Sequence, residues 1–272
     1  WTNQLCMQSY HLDSPLHQEP PGDTGDYLVE ALVSYYAFGE TRLARKDLLR
    51  IAYLLKQKNG RMFMPSYSLL WIWMLRDYWF HSADAETVRQ VAPQLHALLD
   101  LFDSYVGDLG LVSEAPNYMF LDWVRLGEFD LHHPPASIGM GYMSAVYYRA
   151  LVYGAELSDL CGNADRQRLY SERAASLQEP FQSHLWDEKR GLYRDGLPGV
   201  TRVPPAGWLP ADSEKPTFTA HTNVLAIVAG LADRERARAI LRRISQDESL
   251  PLMQPYFLHY YFEALVYADL YE

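Results

Sequence analysis

Residues 13–39 read DSPLHQEPPGDTGDYLVEALVSYYAFG. The first half gathers four carboxylates, Asp13, Glu19, Asp23 and Asp26, around Pro15, Pro20, Pro21, Gly22 and Gly25. Proline fixes φ and glycine opens the left-handed region, so this half is a stiff loop rather than an element. The second half is apolar and aromatic and predicts a helix from about Gly25 to Phe38, capped by Thr24 and ended by Gly39. A loop that concentrates acids at the mouth of a buried helix is suited to proton transfer or to holding polyhydroxylated or cationic groups.

Downstream, the helical signals continue. Thr41 starts a helix closed by Asn59-Gly60, with Leu48, Ile51, Ala52 and Leu55 on one apolar stripe. YSLLWIWMLRDYWF (67–80) is apolar nearly all round and is expected to be buried. Asp84 caps a fourth helix, with Val88, Val91, Leu95, Leu98 and Phe102 at strict three-to-four spacing and Pro93 off the stripe. Residues 107–137 lack a helical period and predict a long loop with a small hairpin. A long helix follows over Ala136–Leu160, with Gly139, Gly141, Ala145, Ala150 and Gly154 allowing close neighbours. Asn163 caps a sixth, through about His184. LWDEKRGLYRDG (185–196) predicts a compact turn with short strands, and residues 197–218 a Pro-rich loop. Helices over TAHTNVLAIVAGLA, DRERARAILRRIS and PYFLHYYFEALVYADLYE complete about nine. Buried and amphipathic helices alternate, as do short and long connections. That pattern predicts an all-α fold in which inner helices are covered by outer ones, with the long loops gathered on one face.

The chain has 272 residues, of which 49% are hydrophobic, enough for a real core. Its formal net charge of −10 argues against a nucleic-acid backbone as partner, which needs a basic footprint. Cys6 and Cys161 form neither a disulfide framework nor a zinc cluster. No apolar run reaches the roughly 20 residues of a membrane span, so no membrane partner is expected. Aromatics make up 14%, and flat rings stack on sugars as well as in cores. The chain opens on Trp1 and closes inside a helical pattern; the expectation is a single domain over 1–272, cut at both ends.

The acidic stretch resembles the motif of bacterial α-L-rhamnosidases, which are six-hairpin (α/α) barrel glycosidases. Their pattern is Asp-Cys-Pro, three residues, Glu, then Gly-Trp-Thr-Gly-Asp. Asp13, Pro15, Glu19, Gly22, Thr24, Gly25 and Asp26 match it at the same spacing. YSLLWIWMLRDYWFHSAD, FLDWV (120–124) and LWDEKRGLYRDG look like further family segments. The resemblance implies an (α/α)6 toroid, with about nine of its twelve helices in this chain. It also implies a glycosidase working with inversion, Glu19 as general acid, Asp13 and Asp26 holding sugar hydroxyls, and no cofactor. The partner implied is a rhamnoside-like carbohydrate, together with the remainder of the chain. The general base is expected beyond Glu272; Glu114, Glu128 and Glu263 do not sit in the family's base motif. Gln18 stands where the family usually has Arg, and Asp23 where it usually has Trp, which puts the sugar's identity in question.

Each candidate has a plainer reading. Asp26 in a first helical turn favours the helix dipole whatever else it does. His11, Asp13, His17 and Glu19 are types that could ligate a cation, but no helical His pair supports a metal and none is expected. Trp71 reads either as core or as a sugar platform. Asp122 and Trp123 lie in a loop, where a tryptophan needs a use or a cover. His221 opens a helix and is expected at the mouth of the barrel. The competing functions are a six-hairpin glycosidase for a different sugar and a non-catalytic sugar-binding or scaffolding part of a larger protein.

Overall fold

The computed structural model describes residues 1–272 except 13, 15–21, 23, 63, 117–118, 127–128, 131–135, 202–214 and 272. The described residues form ten α-helices, one π-helical turn and two short hairpins. They cluster into two compact units, residues 1–101 with 150–172 and residues 102–149 with 173–272.

The first unit begins with α1 (Thr2–Cys6), a five-residue helix too short to leave a periodic signal in sequence. α2 (Thr24–Phe38) follows the acidic loop, with Thr24 inside the helix and its hydroxyl donating back to the Gly22 carbonyl at 3.1 Å. Gly39 ends it at φ +63°, as its position predicts. α3 (Arg42–Gln57) buries Ala44, Leu48, Ile51, Ala52 and Leu55 on one face. Its capping bonds do not come from Thr41. Glu40 accepts from the backbone of Arg42 and Leu43 at 2.9 and 3.1 Å, because its longer side chain reaches both orphan N–H groups. Partial burial pushes the Glu40 carboxyl up, but these bonds and the Arg42 guanidinium hold it below its ordinary value.

Asn59 and Gly60, both at positive φ, close α3 as expected. α4 (Pro65–Ser82) is buried on every side from Pro65 to Leu75 and packs against α2 and α3. α5 (Ala85–Asp103) buries the stripe read from sequence and runs through Pro93, which faces solvent. Asp84 caps it by accepting from Thr87 N at 3.0 Å and Thr87 Oγ1 at 2.6 Å.

In the second unit, β1 (Arg125–Leu126) pairs antiparallel with β2 (Phe129–Asp130), the hairpin expected in the long loop. α6 (Ala136–Leu160) has the bounds read from sequence, and the chain from Ala150 to Glu172 belongs to the first unit. Its glycines admit neighbours: a Cβ on Gly141 would lie 2.5 Å from the Asp195 carbonyl, to which Gly141 donates its N–H at 2.6 Å. α7 (Ala164–Pro180) starts under Asn163, which accepts from Arg166 N, and continues as a π-helical turn over Phe181–Leu185. β3 (Trp186–Asp187) and β4 (Leu192–Tyr193) form the second hairpin around Gly191. α8 (Ala220–Ala229), α9 (Arg234–Ile244) and α10 (Pro255–Tyr267) complete the unit, with α8 buried along nearly its whole length and packed on α10 and α9. Ten helices stand where about nine were expected, the difference being α1.

Candidate functional site

Asp13 and Glu19 lie outside the described residues, as does Asp23; the stems of the acidic loop are described. On the downstream side, Gly22 is buried at φ +134°, and a Cβ there would come within 2.7 Å of the Met62 methyl. The conformation is one that glycine adopts and other residues rarely do, while the Met62 methyl, the end of a flexible side chain, could shift. Four residues on, Asp26 is half-buried in the first turn of α2 and accepts a hydrogen bond from the Tyr67 hydroxyl at 3.3 Å. Tyr67, in the first turn of α4, is not legible in sequence as a polar partner, because an aromatic in an apolar run reads as core.

The upstream stem is fixed by a buried polar chain. His11 donates its backbone N–H to Asp47 Oδ2 at 3.2 Å, its Nδ1 lies 2.8 Å from the same oxygen, and its Nε2 lies 3.0 Å from Ser34 Oγ. Both ring nitrogens are therefore engaged inside the protein, leaving neither for a cation. Among the described residues no group of three His, Cys, Asp or Glu side chains could hold a metal ion.

Trp71 is 0% exposed and its indole N–H donates to the Leu48 carbonyl at 3.1 Å, so its packing is that of a core residue. Trp73, two residues on, is also buried, edge-on to Tyr153.

In the second unit, Asp122 and His221 come together. Asp122 is wholly buried and takes three donors: the backbone N–H of Trp123 on Oδ1 at 2.8 Å, and His221 Nε2 and Gln254 N on Oδ2, each at 2.9 Å. The loop is thus pinned to the start of α8 and to the start of α10. A carboxylate accepts, so His221 donates from Nε2, and Nδ1 is the other ring nitrogen. That Nδ1 is buried without a hydrogen-bond partner among the described residues, beside the ring of Phe257 at 4.5 Å between centroids. The neighbouring Trp123 ring is 67% exposed. A loop that buries its aspartate and displays its tryptophan offers a flat apolar face on a rigid base.

Asp195, unremarked in sequence beyond its place in the 185–196 turn, holds the same helix start. Its Oδ1 accepts from Thr219 N at 3.1 Å, Thr219 Oγ1 at 2.6 Å and Thr222 Oγ1 at 2.7 Å. Burial drives its carboxyl above the ordinary value against the opposing pull of those bonds. Asn223 completes the clamp, exchanging bonds with both backbone groups of Tyr193 and donating to the Thr219 carbonyl. The signal for this cluster was the Thr-x-x-Thr-Asn run at a helix start, which marks a cap but not the partner it meets.

Residues 1–249 match the family model of the bacterial alpha-L-rhamnosidase 6 hairpin glycosidase domain. Among solved structures, 98% of the chain superposes on a GH78 family rhamnosidase of Bacillus sp. GL1 with TM-score 0.81 and 23% identity. The same share superposes on a rhamnosidase from Klebsiella oxytoca with rhamnose bound, with TM-score 0.76 and 20% identity. An alpha-L-rhamnosidase from Dictyoglumus thermophilum gives 0.70 and 16% over 97% of the chain. At these identities the likeness shows the fold alone. The chain spans 27%, 49% and 29% of those three solved chains. A curated relative, the N,N'-diacetylchitobiose phosphorylase of Vibrio proteolyticus, is 27% identical over 172 residues, 62% of this chain and 19% of that protein. The fold is that of the six-hairpin glycosidases, and with nine-tenths of its length inside the family model the chain belongs to the bacterial α-L-rhamnosidase six-hairpin glycosidase domain family.

Proposed function

We propose that this chain is part of a glycoside hydrolase that releases a terminal rhamnose-like sugar with inversion, Glu19 acting as the general acid. The observation that carries the reading is the spacing Asp13-x5-Glu19-x6-Asp26 at the entry to α2, in a chain of this family. A glycosidic oxygen leaves poorly until it is protonated, so a neutral carboxylic acid must stand beside it. Like-charge repulsion from neighbouring carboxylates is the means by which such an acid is kept protonated for that step. Asp13 and Asp26 hold hydroxyls of the sugar and face the positive charge that develops at its anomeric carbon.

Water adds to that carbon as the bond to the leaving oxygen breaks. The proton of Glu19 goes to the leaving oxygen, and the proton of the water goes to a base that is assigned to no residue of this chain. Trp123, on the base that Asp122 and His221 make for it, is by itself a ring on which a sugar's apolar face can stack. Its exposure, unusual for a ring beside a fully buried aspartate, supports that part. Trp71 stays in the core, its indole bonded to the Leu48 carbonyl of α3.

A second reading, a six-hairpin glycosidase for another sugar, is favoured by Gln18 and Asp23, which replace the Arg and Trp of the family pattern. The test is a panel of p-nitrophenyl glycosides with and without inorganic phosphate, since a curated relative is a phosphorylase. Release of nitrophenol from the α-L-rhamnoside, with β-L-rhamnose appearing first by NMR, is the expected result. The panel is run on the whole enzyme of which this chain is part: turnover of another glycoside alone selects the second reading, and turnover of none rejects both.

A further inference from the structure

The polar chain at the upstream stem has more bonds than the burial of one histidine requires. His11, Asp47 and Ser34 are each 0% exposed. Asp47 Oδ2 receives both the backbone and the ring of His11, while its Oδ1 faces Arg50 Nη2 at 3.3 Å, one turn along α3. Arg50 in turn lies over the ring of Tyr10, 4.2 Å from its centroid. Two consecutive residues, Tyr10 and His11, are thus gripped by an i, i+3 pair of α3. The far nitrogen of His11 reaches Ser34 on α2, whose hydroxyl also bonds the Glu30 carbonyl at 2.9 Å. The stretch before it is folded back on itself, Met7 bridging His11 and Leu12 N donating to the Cys6 carbonyl at 3.1 Å.

A serine, a histidine and an aspartate in hydrogen-bond series suggest nucleophilic catalysis. Full burial rules that use out here, since no substrate reaches the serine. The chain connectivity gives the series another use. His11 stands two residues before Asp13, and the loop's other end is α2 itself, the helix that carries Ser34. The acidic loop is therefore tied at its start to α2 and α3 and at its end to α2. Ordering a loop by fixed stems removes entropy that would otherwise be lost when substrate and acid are aligned.

We infer that His11, Asp47 and Arg50 are positioning residues, with Ser34 as their tie to α2: they anchor Tyr10 and His11, the stretch that leads into the acidic motif, without touching substrate. The catalytic part of this inference rests on the function proposed above; the anchoring part does not. Both are tested on the full chain with Asp47→Ala, with Ser34→Ala as the milder cut should Asp47→Ala fail to fold, and with Asp47→Asn as the conservative form.

Hydrogen exchange reads the anchoring whether or not the chain is active. Faster exchange in Asp47→Ala, confined to residues 10–24, is expected, with Asp47→Asn nearer the parent and Ser34→Ala between. Exchange in that window unchanged in every folded variant overturns the anchoring. Kinetics on aryl α-L-rhamnosides read the catalytic part. An acid displaced by about 1 Å costs on the order of 100-fold, and the loss falls on poor leaving groups, which need the proton. A merely structural role lowers melting temperature and scales both leaving groups alike; that outcome, with faster exchange, overturns the positioning of Glu19 while keeping the anchor. A parent enzyme, containing this chain, that is inactive on every glycoside, with the exchange result as expected, counts against the proposed function and not against the anchor.

Discussion

Nε2 of His221 lies 2.9 Å from Oδ2 of Asp122, and both side chains are wholly buried. The pair joins the start of α8 to the loop that displays Trp123. Removing one partner leaves a buried polar group unpaired, which costs more than the pair itself contributes.

Asp122→Ala is expected to lower stability by about 3 kcal/mol or more, because it strands His221 and the Gln254 N–H together. Trp123→Ala is expected to leave the melting temperature close to the parent's, since its ring is mostly in solvent. It should weaken binding of L-rhamnose roughly tenfold, the share of one stacked ring. Thermal unfolding and isothermal titration separate the two. A Trp123→Ala chain that melts far lower would make Trp123 a cover for the core.

The cap of α5 carries a pH signature. Bonds from the Thr87 hydroxyl and N–H and from Tyr78 outweigh partial burial and hold the Asp84 carboxyl at about 2. A carboxyl depressed in the folded state contributes stability above its unfolded value near 4, and that contribution is lost as pH falls toward 2. Asp84→Ala is expected to cost roughly 1 kcal/mol at pH 6, the usual worth of an N-cap, and progressively less between pH 4 and 2. Denaturant unfolding of parent and variant at pH 6 and pH 2.5 measures it. An equal cost at both pH values would show that the ionised cap is not the source.

Asp195 has the opposite sign. Burial raises its carboxyl, so the folded state keeps a proton that the unfolded state has released. Its ionisation therefore subtracts stability as pH rises from the unfolded value through the folded one. Asp195→Asn retains an oxygen for Thr219 and Thr222 and cannot ionise, so it is expected to fold and to flatten that part of the pH profile. Asp195→Ala strands three donors and is expected to cost about 1–3 kcal/mol or more. Gly141→Ala drives a methyl against the Asp195 carbonyl and is expected to cost on the order of 1–3 kcal/mol. An Asn variant as unstable as the Ala variant would mean the charge itself is needed.

Helix bounds were legible where one rule dominates. Gly39, Asn59-Gly60, Asp84 and Asn163 mark ends through backbone conformation or a local cap, both read from neighbours in sequence. Glu40 was not legible as the cap of α3, because a threonine stood at the preferred place and the longer side chain won by reach. Asp122 and His221 were singled out apart, and only folding shows that they meet across 99 positions. Asp47 was invisible: on an amphipathic helix an aspartate reads as solvated, and nothing local says that a histidine 36 residues earlier will bury it. Long-range polar pairs leave no period, so spacing alone does not reveal them.

The acidic loop gives the sharpest expectation. Glu19→Gln keeps size and hydrogen bonding but cannot give up a proton. Turnover of an alkyl or weakly activated aryl α-L-rhamnoside is expected to fall by about 10²–10⁴-fold, the usual share of general acid catalysis. For a dinitrophenyl leaving group the loss should shrink, because that oxygen departs with little protonation, and sugar affinity should hold. Asp13→Asn and Asp26→Asn act differently. Under the proposed function they remove charge that would meet both ground-state hydroxyls and the developing oxocarbenium ion, so kcat and kcat/KM are expected to fall together with affinity, whatever the leaving group. Asp26→Asn also meets the Tyr67 hydroxyl, so Tyr67→Phe should reproduce a small part of its effect. Steady-state kinetics of the four variants on one poor and one good leaving group decide the assignment. If Glu19→Gln turns over the poor substrate as fast as the parent does, the proton comes from elsewhere, and the carboxylates at the mouth of α2 serve binding alone.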